Sequence, residues 1–291
     1  MLQLIHLEES KSTVTEKGVM EAFSCWRLMK TIWIDPHMDA VFITASFMKH
    51  LAQHCVHLEE LDVSWVQDCV DDETIVTCAT AWKHSLKRLL LHASESISTQ
   101  GLRDIVQVCG PVLEALSLTC CANMVDSRSF EEALVRCPNL VDLSINSSMP
   151  YAARLTLSPE GPVLSESLTE LNVNSLLLAD DFLTAVKNRL PKVRSLTATH
   201  SGEIFPELPE GWTSLEELGG CYRTFRPGAI QALVTTCPNL KIFSAQGVNI
   251  SDLECLHLAM PSLKVTGLSF CEGISATNKA LWKKGTPNNE Q

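Results

Sequence analysis

Leu113-Glu-Ala-Leu116-Ser-Leu118 reads apolar-x-x-apolar-x-apolar, and the chain repeats that phrase from end to end. Close copies are Leu58-Glu-Glu-Leu61-Asp-Val63, Leu86-Lys-Arg-Leu89-Leu-Leu91, Leu140-Val-Asp-Leu143-Ser-Ile145 and Leu168-Thr-Glu-Leu171-Asn-Val173. Looser copies begin at Leu2, Met29, Val193, Leu215, Leu240 and Val265, so eleven phrases recur 22 to 29 residues apart. So steady a period over 291 residues marks a stacked-repeat architecture. It overrides length, which alone suggests two ordinary domains. In each phrase the last two apolar residues alternate around one other residue, the period-2 pattern of a short strand with one buried face. The first apolar residue, three positions earlier, closes the core where the chain runs into the strand. One unit cannot bury its apolar side alone; strands stacked in parallel make a continuous core.

Helical material lies between the phrases. Ile97-Ser-Thr-Gln-Gly-Leu-Arg-Asp-Ile-Val-Gln-Val-Cys109 places apolar side chains at 102, 105, 106 and 109, one face of an amphipathic helix. Ser or Thr just ahead of the run supplies a capping oxygen. Similar segments run from Val14 to Cys25, Thr44 to Cys55, Val125 to Cys137, Asp180 to Leu190 and Pro227 to Cys237. Asp71-Asp72-Glu73 and Asp180-Asp181 precede apolar runs, where acids complement the positive end of a helix dipole. Two helical segments end in Cys-Pro-Asn-Leu (137–140 and 237–240) and one in Cys-Val-His-Leu (55–58); the proline stops the helix before the next strand.

These units resemble the cysteine-containing subfamily of leucine-rich repeats, with Gly18 and Gly101 at its helix-start glycine and Cys121 at its closing position. The resemblance spans essentially the whole chain. It implies a right-handed α/β horseshoe of about eleven units, with a parallel concave sheet and a mostly helical convex side. The closing position elsewhere holds mixed residues such as His37, Val66, Ser94 and Gly273, so no continuous polar ladder is expected there. Two convex segments are expected to be extended or single-turn: Tyr151 to Glu166, with Pro159, Gly161 and Pro162, and Gly202 to Trp212, with Pro206, Pro209 and Gly211. Unit shape should therefore change past residue 150. Residues 1–284 read as one repeat domain, with a last helix over Ile274 to Lys284 and a disordered polar tail at 285–291. A solenoid normally shields its first coil, and no such segment precedes Leu2. Either the chain is truncated or another domain or partner covers that end.

Charge and composition narrow the function classes. The formal net charge is −11, from 23 Lys and Arg against 34 Asp and Glu, with no extended basic run. Phosphate neutralisation needs the opposite balance, so no nucleic-acid partner is expected. The N-terminus lacks a basic start ahead of its apolar residues, and no stretch approaches the length of a membrane span. A cytoplasmic or nuclear chain is expected, without membrane association. The 12 cysteines fall in repeating apolar positions with no C-x-x-C, which reads as reduced, buried thiols.

Catalytic and metal chemistry finds little support. His50 and His54 stand four apart on a helix beside Cys55 and His57, but no third ligand is spaced to help, so surface histidines and a core thiol are the better reading. A reactive thiol needs an electropositive, partly exposed setting, and Cys25, Cys55, Cys109, Cys137 and Cys237 sit where helix meets core. Of the vicinal pair Cys120-Cys121, only Cys120 points outward by register. No phosphate-binding glycine loop or nucleophile elbow occurs. No enzyme activity, cofactor or metal is expected.

The repeat register predicts the side chains of the concave sheet. Its early part offers Trp33, Asp35, Glu60, Asp62, Trp65, Arg88 and His92, two tryptophans among acids with one arginine. Its later part, including Ser117, Asp142, Ser144, Asn146, Asn172 and Thr197, is small and largely neutral. Exposed Trp and Arg dominate the energetics of protein interfaces, so the early part is the candidate partner-binding face. Packing of Trp33 and Trp65 under the first coil is the competing explanation. The resemblance implies a protein-binding module of the kind found in F-box leucine-rich-repeat proteins. There the solenoid presents a substrate to a cullin-type ubiquitin ligase. The F-box itself is absent from this chain and would lie upstream of Leu2. Related families leave two alternatives, a regulator of small GTPases and a structural or inhibitory scaffold of the ribonuclease-inhibitor type. No Asn or Arg is placed to argue for the first, and its usual acidic tail is missing.

Overall fold

The computed structural model describes residues 4–7, 16–25, 27–34, 44–63, 70–92, 96–119, 126–146, 154–174, 176–198, 208–221, 228–245 and 250–266. The chain divides into two compact units, Met1–Met149 and Pro150–Gln291, with the boundary where the sequence predicts unit shape to change.

In the first unit, strands and helices alternate without exception: β1 (Leu4–Leu7), α1 (Glu16–Cys25), β2 (Thr31–Ile34), α2 (Ala45–His54), β3 (Glu60–Asp62), α3 (Asp72–Ala81), β4 (Arg88–His92), α4 (Thr99–Cys109), β5 (Ala115–Thr119), α5 (Ser127–Arg136) and β6 (Asp142–Asn146). The strands pair in parallel in chain order, so Ile32, Leu61, Leu89, Leu116 and Leu143 form one column across the sheet. All five are buried, as are the residues that start their phrases, Met29, Leu58, Leu86, Leu113 and Leu140. Each such side chain contributes about 1.5–3 kcal/mol of burial, and none could do so in an isolated unit.

Helix starts and stops follow from local chemistry. The side chains of Thr44, Asp71, Ser98 and Asp126 accept hydrogen bonds from the backbone N–H of Phe47, Thr74, Gly101 and Ser129, capping α2 to α5. At the other end the buried Cys55, Cys109 and Cys137 accept at their carbonyls from the N–H of Leu58, Leu113 and Leu140, which turns the chain into the next strand. Trp82 takes the same position after α3, fully buried, with its indole N–H donating to the Cys55 carbonyl at 3.0 Å. The thiols of Cys78 and Cys109 donate to carbonyls of the preceding helical coil, Met48 and Ala79. Burial pushes Cys55 up to about 11 and Cys78, Cys109 and Cys137 up to about 12, so these thiols are packing groups.

The asparagine of Cys-Pro-Asn-Leu ties coil to coil. Asn139 Nδ2 donates to the Pro111 carbonyl and Asn239 Nδ2 to the Thr213 carbonyl, both at 2.8 Å. Just ahead of the strands, Lys30, Glu59, Lys87 and Glu114 alternate in sign along successive coils and pair with one another. Exposed pairs of this kind add little stability but penalise mispairing.

The second unit holds β7 (Arg154–Leu155), β8 (Glu170–Asn174), β9 (Leu177–Leu178), α6 (Phe182–Arg189), β10 (Ser195–Thr197), β11 (Glu217–Cys221), α7 (Ala229–Thr236), β12 (Ile242–Ala245), α8 (Ile250–Ala259) and β13 (Lys264–Thr266). Strands β8, β10, β11, β12 and β13 run parallel in that order, stacking Leu171, Leu196, Leu218, Phe243 and Val265, while β7 and β9 pair separately. As expected, residues 156–169 form no helix, and neither do 208–216; positions 202–207 of the second irregular segment lie outside the described residues.

Two sequence expectations change. Val265 pairs with Phe243, so it holds the second apolar position of the last phrase rather than the first; the buried Leu263, two residues earlier, opens a phrase one residue shorter than the others. The helix α8 replaces an unassigned segment; its Leu253 and Leu256 are buried, as is Met260 just past its end. The predicted helix at 274–284, the tail at 285–291 and Cys120-Cys121 lie outside the described residues. The fold is an α/β solenoid of leucine-rich-repeat type.

Candidate functional site

Period-2 alternation that buries Leu61, Leu89, Leu116 and Leu143 turns their neighbours to the solvent side of the first unit's sheet. The register then sets which of these neighbours meet. One row runs Thr31, Glu60, Arg88, Ala115, Asp142; the next runs Trp33, Asp62, Leu90, Ser117, Ser144; a third begins at His92 and ends at Asn146.

The centre of the face is a shared carboxylate oxygen. Trp33 Nε1 donates to Glu60 Oε1 at 3.2 Å, and Arg88 Nε pairs with the same oxygen at 3.4 Å. Three residues from three successive coils are therefore held together by one acceptor. Trp33 is held there without being buried, remaining 37% exposed.

Two further groups feel the low dielectric of the sheet. Burial pushes the Asp142 carboxyl up from its ordinary value, opposed by the Arg88 guanidinium. Burial also pushes His92 below its usual value, opposed by Asp62, which favours a neutral imidazole at physiological pH.

Of the seven side chains singled out in the sequence, Trp33, Glu60, Asp62, Arg88 and His92 stand on this one face. Asp35 and Trp65 lie outside the described residues. Two members were underrated. Leu90 is half-buried on the face between Asp62 and Ser117, and it is not among the seven. Strict alternation is the signal that identifies it. Asp142, grouped with the small neutral later positions, shares the row of Arg88 and Glu60.

Elsewhere, His50 and His54 stack with ring centroids 4.1 Å apart, and His50 Nε2 lies 2.8 Å from the Met20 carbonyl. That contact joins α1 to α2. Among the described residues no group of three or more His, Cys, Asp or Glu is placed to hold a metal ion. No helix among them is long and apolar enough to cross a membrane.

No protein-family model matches this chain, and no curated protein matches it. Among solved structures, a chain from the crystal structure of the Rad7 and Elc1 complex in yeast is similar, with a TM-score of 0.55 over 89% of this chain and 75% of that one. The likeness is one of fold. At 15% identity the two chains share how strands and helices stack, and not the side chains of a site.

Proposed function

We propose that this chain is a non-catalytic protein-interaction module whose partner sits on the solvent side of the first unit's sheet. The observation that carries the reading is the Glu60 carboxylate holding Trp33 and Arg88 ready on an exposed face. Trp and Arg are the residue types most enriched at interface hot spots. Side chains already fixed by a neighbour lose less freedom on binding than free ones. A sheet spanning successive coils also gives a partner a broad, rigid platform of side chains.

The finer proposal is that the module is the substrate-recognition part of an F-box leucine-rich-repeat type receptor, working with cullin-type ubiquitin ligase components. Its support is the cysteine-type repeat, with Cys-Pro-Asn-Leu at 137–140 and 237–240, together with a fold similar to a chain found in complex with another protein.

Affinity purification of the whole chain with mass spectrometry tests both levels, comparing wild type with Trp33→Ala/Arg88→Ala. Hot-spot truncations cost ~2 kcal/mol or more each, about 30-fold in Kd, so the specific partner should vanish from the variant's eluate. Equal recovery by a variant that melts at the same temperature removes the face from consideration. Partners that depend on the face, but with no cullin or adaptor among them, would leave the module standing and remove the ligase role.

A further inference from the structure

We infer that the partner presents a basic segment, a stretch of chain whose Arg or Lys side chains meet Asp62 and Asp142 while its stem packs on Trp33 and Leu90; this rests on the protein-binding reading above. Among the described residues of the face, the carboxylates are Glu60, Asp62 and Asp142 and the strong cation is Arg88. Arg88 is already engaged by Glu60 at 3.4 Å, so that pair is close to neutral. Three carboxylates to one guanidinium leave these described side chains net negative.

Placement adds to the charge argument. Asp142 is half-buried, with Ala115 between it and Arg88 in its row, and burial disfavours its ionised form. A cation brought by the partner would offset that desolvation better than water at the rim does. Beside Asp62, in the same row on the neighbouring strand, Trp33 offers an exposed indole, a surface on which guanidinium and ammonium groups settle through cation–π attraction. Leu90 lies between Asp62 and Ser117 and gives the aliphatic stem of a Lys or Arg an apolar seat.

The same features argue against other occupants. Nucleic acid would bring phosphates against two carboxylates. A second copy of the chain, which carries a net charge of −11, would set Asp62 and Asp142 against themselves in a two-fold interface.

The test is a selection of short random peptides displayed on phage against the full chain. Enriched sequences are then synthesised and their Kd measured. Four folded proteins are compared: wild type, Asp62→Asn/Asp142→Asn, Trp33→Ala/Arg88→Ala, and the distant control Glu160→Gln/Glu254→Gln, which removes the same charge elsewhere. The expected result is enrichment of peptides rich in Arg and Lys. Their Kd rises about tenfold or more in the Asp62→Asn/Asp142→Asn protein and changes by less than about twofold in the control. Basic peptides weakened equally by both neutralised pairs would show attraction to net charge alone and overturn the inference. A selection that enriches no basic sequence overturns it too. If such non-basic peptides still need Trp33 and Arg88, the protein-binding reading survives without it. Enriched peptides indifferent to every substitution on the face would sink both.

Discussion

Residues 4–146 and 154–266 use the same strand phrase and differ in what joins one strand to the next. Among the described residues of the first unit each connection holds a helix of ten or eleven residues, and α2 to α5 each begin on a side-chain cap. In the second, α6 and α7 have eight residues each and no side-chain cap; Asp181 is itself helical and Gly228 has φ +84. Residues 156–169 replace a helix with an extended segment held by the buried Arg189, which donates to the Pro162 and Ser158 carbonyls. Gly161, at φ +132, approaches that guanidinium. The core column is the same in kind in both units. A solenoid therefore tolerates different convex connections as long as the buried strand positions are kept.

The largest effect should come from removing the unusual device of the second unit. Arg189→Ala removes two charge-assisted hydrogen bonds to the Ser158 and Pro162 carbonyls and the packing of a buried side chain, and is expected to cost ~3 kcal/mol, read by chemical denaturation. Limited proteolysis should then cut within 158–164 first. Unchanged resistance there would mean that the extended segment holds itself.

Next comes the tightest contact between two coils of the first unit. A Cβ at Gly101 would lie 2.0 Å from Asp72 Oδ1, which is pinned by the N–H of Ser98. Gly101→Ala should therefore destabilise by about 2 kcal/mol, although Ala in an open helix position stabilises by roughly 1 kcal/mol. In an Asp72→Ala background the same change should be neutral or favourable. A stabilised single mutant would show that the carboxylate moves aside freely.

The caps sharpen the contrast between units. Asp126 accepts from the Ser129 N–H in a reciprocal box and also pairs with Arg103, so Asp126→Ala should cost ~1 kcal/mol or somewhat more. Asp181 makes no capping bond, and Asp181→Ala should stay within a few tenths of a kcal/mol. Equal losses would erase the distinction.

The smallest effect concerns Asp142. Its folded-state value is raised above the ordinary carboxylate value, so the folded chain holds the proton more tightly than the unfolded chain does. The stabilisation that follows is complete below the unfolded value of about 3.9 and is lost as pH rises through the raised one. Asp142→Asn keeps the shape without the charge. It should melt slightly higher than wild type at neutral pH, and the gap should narrow as pH falls toward the raised value. A lower melting point at neutral pH would mean that attraction to Arg88 outweighs burial.

What could be read without coordinates was whatever repeats locally. Strand positions, helix stops at Cys-Pro-Asn-Leu and the solvent-facing side of each strand follow from periods of two and 3.6, which depend only on neighbouring residues. The helix α3 was visible mainly through its leading acids, since Thr74, Ile75, Val76, Thr77 and Thr80 are β-branched and weaken its helical signal. The helix α8 needed its neighbour α7 to be recognised as the next outer element.

Only the tertiary structure decided who meets whom. Trp33, Glu60 and Arg88 belong to three different coils, and their convergence depends on how far each connection carries the chain before the next strand pairs. The same holds for Asn139 reaching the Pro111 carbonyl and for Asp72 crowding any side chain at Gly101. Amino-acid order determines which side of a strand a residue occupies, because that alternation is built into the backbone. Its neighbours across the sheet are fixed by interstrand hydrogen bonds, which exist only once distant segments have come together.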